Sequence, residues 1–170
     1  SLERIYANDS LEDPSSALKS LDHYVRTGLN QDRPDAESDD GCDAAILKID
    51  RRLQRIEYAG AKLDLFHVSH SVLQRHSSKR ISLGYKDGLD PSQLPKTTLI
   101  HYQSGDLFAI VTDGLTDQVG GTDPSVRPVS FGYRRLERVL LECHDKTAEE
   151  VAAALQHQFK QWQGSHQRRD

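Results

Sequence analysis

Apolar residues recur at helical spacing at Ala17, Leu18, Leu21 and Val25, with Tyr24 on the margin of the stripe. Asp13-Pro14 stands ahead of them as an N-cap followed by proline at the first helical position, where a missing N–H costs nothing. Gly28 suits the stop, so the spacing predicts a helix over 14–28. Residues 2–7 read as the tail of a helix begun upstream. From Asn30 to Gly41 the chain is polar, with Pro34 and five acids between Asp32 and Asp40, and reads as a flexible surface loop. After Gly41 the period shortens. Ala45, Leu47 and Ile49 alternate with Ile46 and Lys48, and the stretches 53–59, 62–68 and 72–76 continue as short strands of an antiparallel meander. The stretches 99–102 and 107–112 read as a hairpin around Ser104-Gly105. Leu107 to Val111 shows no polar alternation, which predicts a strand buried on both faces.

A Gly/Pro-rich loop over 119–130 precedes two helical stripes, Leu136, Val139 and Leu140, then Val151, Leu155, Phe159 and Trp162. The second opens on Thr147-Ala-Glu-Glu150, a capping box. Strands and helices are segregated, which argues for α+β rather than alternating βαβ units. At 170 residues with 36% apolar content the chain is one domain, 1–170.

The formal net charge of −4 carries no broad basic footprint, so no nucleic-acid partner is indicated. No apolar run approaches the 18 or so residues of a membrane span, so this segment itself makes no membrane contact. Cys42 and Cys143 lack metal-ligand spacing and fit a reducing compartment. No signal-peptide pattern opens the chain and methionine is absent, so the expectation is a processed or excised piece of a longer protein.

Asp113-Gly114 lies at the end of the most apolar stretch. A carboxylate delivered there by a rigid strand suits a hard cation such as Mg²⁺ or Mn²⁺; the same dipeptide is also a common hairpin turn. Asp117 adds a second acid four residues on. Asp39, Asp40 and Asp43 lack the EF-hand order and read as a solvated loop. His67 and His70 would not share a strand face, no His-Glu-x-x-His occurs, and zinc is not indicated. A His–Ser pair has no Gly-x-Ser-x-Gly elbow to nominate its nucleophile. Neither Gly-x-Gly-x-x-Gly nor a Walker loop occurs. Arg134, Arg135 and Arg138, with Arg168 and Arg169, form either a clamp for an anion or a wet helix face. Phe159 and Trp162 read as core anchors.

Four segments occur in order: Asp40-Gly-Cys-Asp-Ala-Ala-Ile-Leu-Lys-Ile-Asp50, Glu57-Tyr-Ala-Gly-Ala-Lys62, Ser104 to Gln118 and Phe131-Gly-Tyr-Arg-Arg-Leu136. Together they resemble the SpoIIE-type branch of the protein phosphatase 2C-like (PPM) serine/threonine phosphatases, nearest the SiaA-like bacterial sensor phosphatases. The resemblance covers residues from about 10 to the end, and Gly105 to Gln118 is its most specific part. It implies an αββα sandwich of two antiparallel sheets between helix layers, incomplete here at both ends. It also implies hydrolysis of phosphoserine or phosphothreonine with two Mg²⁺ or Mn²⁺ ions.

By the same resemblance Asp113 matches the metal-binding aspartate of the family's Asp-Gly motif, and Asp170 the aspartate opening its Asp-Asp/Asn-x-Thr motif. Asp117 sits where some relatives bind a third metal, although the companion acid is missing near Ala59-Gly60-Ala61. The loop at 119–130 falls where relatives carry a flap. The family's bridging aspartate lies in an upstream segment that this chain does not contain, so the expectation is a phosphatase parent and an inactive 170-residue span. The implied partner is a phosphorylated STAS-like or anti-sigma-antagonist protein. The implied assembly is a homodimer and the implied location cytoplasmic, within the soluble part of a membrane-anchored sensor. A phosphatase-shaped module that binds its partner without hydrolysis is the competing reading.

Overall fold

The computed structural model describes residues 13–121 and 127–168. The chain divides into two compact units, the first holding the chain up to Leu65 and His76–Tyr102, the second Phe66–Arg75 and the chain from Gln103 onward. The expected helix over residues 2–7 lies outside the described residues.

In the first unit, helix α1 runs Pro14–Gly28, with the Asp13 carboxylate accepting from the Ser16 amide at 3.0 Å. Strands β1 (Ala44–Asp50), β2 (Arg55–Ala61) and β5 (Thr98–His101) form an antiparallel sheet in the order β1-β2-β5. The period-two alternation turns Ala44, Ile46, Ala59 and Ala61 toward a cluster with Leu18 of α1 and Leu83. The second strand starts later than its apolar pattern indicates because the Asp50 carboxylate accepts from the amides of Arg52 and Leu53 (3.0 and 2.9 Å), holding those residues in a turn.

The acidic loop is tied rather than free. Gln31 is buried and its side-chain amide donates to the carbonyls of Asp40 and Gly84, at 2.7 and 2.5 Å. The acids make loop contacts, Asp43 accepting from Ser82 (2.7 Å) and Asp39 from the Lys86 amide (2.9 Å).

Tyr58 is buried in this unit, and its hydroxyl donates to the Leu63 carbonyl. Burial first, then the nearby Asp64 carboxylate, pushes its pKa up to about 12. The folded state therefore keeps a proton that the unfolded chain, at about 10, releases first. The stability this contributes is whole below about pH 10 and is lost as pH rises through about 12. A denaturant melt repeated in alkaline buffer is expected to lose stability across that window, and Tyr58→Phe to flatten the loss.

In the second unit, β3 (Leu65–Ser69), β4 (Val72–His76) and β6 (Leu107–Ile110) form a sheet in the order β4-β3-β6. The outermost residues of the β3–β4 hairpin, Leu65 and His76, fall in the first unit. The expected single meander is thus corrected. β2 and β3 belong to different sheets, and so do β5 and β6, so the turn at Ser104-Gly105 passes the chain from one sheet to the other instead of closing a hairpin. β6 is also half-buried rather than covered on both faces, since it is an edge strand among the described residues.

Helices α3 (Gly132–Glu142) and α4 (Ala148–Gln163) bring Leu136, Val139, Leu140 and Val151 against Phe66 and Val68 of β3. The capping box at Thr147 and Glu150 opens α4 as expected. Short strands β7 (Val119–Gly120) and β8 (Val129–Ser130) pair across the Gly/Pro-rich loop, whose residues 122–126 lie outside the described set. A Cβ on Gly120 would stand 2.1 Å from the Trp162 carbonyl oxygen, which is backbone and cannot step aside. Gly120→Ala is accordingly expected to cost roughly 1–3 kcal/mol in a urea melt.

Candidate functional site

β6 leads through Val111 and Thr112 into a single helical turn, α2 (Asp113–Thr116). Asp113-Gly114 therefore opens a helix instead of bending a hairpin. Leu115 packs on the unit's apolar core and Thr116 is buried, which fixes the turn from beneath. Asp113 and Asp117 stay exposed on the other side, and the Asp117 amide donates to the Asp113 carbonyl at 2.7 Å. Residues four apart on one turn lie on one face, so these two sequence-predicted acids are neighbours.

Asp113 lines a groove of about 680 Å³ with Leu155, Phe159 and Lys160 of α4 and with Arg168. Phe159 thus borders this groove while its ring also meets that of Phe131, 6.1 Å away between centroids. Gln118, wholly buried just after the turn, donates to the carbonyl of Gln167 at 3.1 Å. That bond returns the segment after α4 to the Asp113 turn. Asp170 lies outside the described residues.

Exposed carboxylates are the donors a hard divalent cation takes, so Asp113 and Asp117 fit Mg²⁺ or Mn²⁺ in kind. Among the described residues, however, no group of three or more His, Cys, Asp or Glu side chains could hold a metal ion. The described residues offer oxygen donors of a suitable kind without completing a centre.

The arginines resolve differently. Arg135 lies over the Trp162 ring, 3.5 Å from its centroid, and donates to the Phe131 carbonyl at 2.9 Å, so it braces the unit. Arg138 makes an exposed contact with Glu142 at 3.9 Å, a wet helix face. Of the proposed clamp only Arg168 reaches the groove among the described residues.

Sequence reasoning missed a buried pair. His67 Nε2 and Asp106 Oδ2 are 2.8 Å apart, with side chains 9% and 6% exposed. The imidazole stacks on Phe108, 4.4 Å between ring centroids. Burial alone would raise the Asp106 carboxyl, but hydrogen bonds from the Gln103 amide, Ser69 and His67, with the His67 charge, hold it below its ordinary value. Asp106 immediately precedes β6, and His67 is the middle residue of β3, so the pair ties the strand that carries Asp113 to its neighbour. The only trace in the sequence is a polar residue set among Leu65, Phe66 and Val68; the pairing needs the register, which spacing does not encode.

Residues 2–170 match the family model of Stage II sporulation protein E, SpoIIE. The chain belongs to the SpoIIE family. Among solved structures it is similar to the SiaA PP2C domain of Pseudomonas aeruginosa, with a TM-score of 0.79 and 28% identity over 98% of this chain and 60% of that one. It also resembles the phosphatase domain of the cell-fate determinant SpoIIE from Bacillus subtilis (TM-score 0.56, 15% identity, 99% and 67% covered). RsbX in complex with magnesium gives 0.54 at 21% identity, with 93% and 62% covered. The last two likenesses show the fold alone. A search among curated protein sequences found no match. The SpoIIE-family chain spans about 60% of the SiaA domain it matches. Its α+β class, antiparallel sheets with flanking helices, is the PP2C-like fold.

Among the described residues no helix is long and apolar enough to cross a membrane.

Proposed function

We propose that this SpoIIE-family chain is part of a metal-dependent serine/threonine phosphatase domain acting in bacterial signalling. The observation that carries the reading is the exposed Asp113 carboxylate at the end of β6, on a groove that Lys160 and Arg168 also line. Asp113 would hold a divalent ion, with Asp170 as a further ligand and Asp117 beside it. Further oxygen donors are required from outside the described residues. When bound, Mg²⁺ or Mn²⁺ supplies Lewis acidity and a nucleophilic water for in-line attack at phosphorus.

The chain's own part is to place charge. β6, the partly buried Leu115 and the buried Thr116 keep the carboxylate of Asp113 at a fixed point. Lys160 and Arg168 set positive charge along the groove, where phosphoryl oxygens need it. The RsbX structure holds magnesium and one SpoIIE structure was presoaked in manganese, which fits the choice of ion. The substrate on this reading is a phosphorylated STAS-like protein met in the cytoplasm by a homodimer.

The test is release of inorganic phosphate from such a phosphoprotein by the full-length protein, with manganese and with chelator. Manganese-dependent release supports the reading. Tight binding of the phosphoprotein without release would instead make the domain a phosphatase-shaped docking module.

A further inference from the structure

The tip of the β3–β4 hairpin places a serine against a histidine. His70 and Ser71 form the two-residue turn, both left-handed with φ of 48° and 61°. Ser71 is exposed, and its Oγ lies 2.9 Å from Nε2 of His144, which follows α3. The other ring nitrogen of His144, Nδ1, lies 2.8 Å from the Leu141 carbonyl oxygen. A carbonyl only accepts, so the neutral ring carries its proton on Nδ1 and leaves the Nε2 lone pair facing the Ser71 hydroxyl. A hydroxyl, a base within hydrogen-bond reach and a third group fixing the base is the arrangement of an activated nucleophile. It owes nothing to the Asp113 groove, whose lining includes none of these residues.

We infer that Ser71 is a base-activated nucleophile that accepts an acyl group from an activated acyl donor, with His144 as the general base. Ser71 Oγ bonds to the donor's carbonyl carbon while its proton passes to His144 Nε2. The bond to the leaving group then breaks with its electron pair, and the leaving group departs, taking that proton where it is basic enough; otherwise it leaves as the anion and His144 gives the proton to solvent water. The product is an ester on Ser71. Neighbouring Ser69, the last residue of β3, does not share the geometry, since its Oγ meets Nδ1 of the adjacent His70 at 3.1 Å.

The test treats the full-length protein with p-nitrophenyl acetate and maps the acetyl group by peptide mass spectrometry. Acetylation of Ser71 is expected, slowed on the order of a hundredfold or more in His144→Gln, the usual scale of general-base assistance. His70→Gln should leave the rate unchanged. Ser71→Gly suits the left-handed turn, so it should fold at least as well as the parent and yet lose the label. The inference is overturned by an acetyl group found only on lysines or on His144, by an unchanged rate in His144→Gln, or by a loss in His70→Gln of the size expected for His144→Gln.

Discussion

Asp113→Asn in the full-length protein is expected to lower manganese-dependent phosphate release on the order of a hundredfold or more. Loss of residues that merely support metal ligands already costs roughly 10–100-fold in affinity or activity, and Asp113 is read as a ligand itself. The substitution removes a charge and keeps the shape. Its effect on folding should be small, within about 0.5 kcal/mol, because the side chain is exposed and makes no hydrogen bond or ion pair among the described residues. Activity lost at an unchanged melting temperature separates a ligand from a structural residue. Activity within a few-fold of the parent would remove Asp113 from the chemistry.

The second large effect concerns the His67–Asp106 pair. His67→Ala is expected to cost roughly 3 kcal/mol, because it strands a buried carboxylate and removes the imidazole from its stack on Phe108. The double variant His67→Phe with Asp106→Leu should cost clearly less than the sum of the single changes, since it removes both hydrogen-bond partners together. Urea melts of His67→Ala, of His67→Phe and Asp106→Leu singly, and of the double variant check this directly. The pH dependence has a defined sign. Asp106 ionises more readily folded than unfolded, so its contribution is whole above the ordinary carboxylate range and is lost as pH falls through its lowered folded value. Asp106→Asn should flatten that acid limb.

Sequence patterning located most helices and strands because their signals are local. The Asp13-Pro14 cap, the stripe of Ala17, Leu18 and Leu21, and the box at Thr147 and Glu150 each act within a few residues, and the helices form over the expected ranges. Strand partners were not legible. The runs flanking Ser104-Gly105 look like a hairpin by spacing, yet β5 pairs with β2 and β6 with β3. Pairing is decided by tertiary burial, and a tight turn does not reveal whether the chain stays in one sheet. The place of Asp113 just after β6 was legible because an Asp-Gly after an apolar stretch is a local pattern, whereas the His67–Asp106 contact spans 39 positions and leaves no local mark. Gln31 shows the same limit: a polar residue in an acidic loop gives no hint that it is buried and satisfied by distant backbone.

A manganese titration followed by electron paramagnetic resonance asks most directly whether Asp113 binds the ion. The full-length protein should remove free Mn²⁺ from solution, and Asp113→Asn at the same concentration should weaken that binding roughly tenfold or more. Superimposable isotherms for the two proteins would contradict the assignment of Asp113 as a metal ligand.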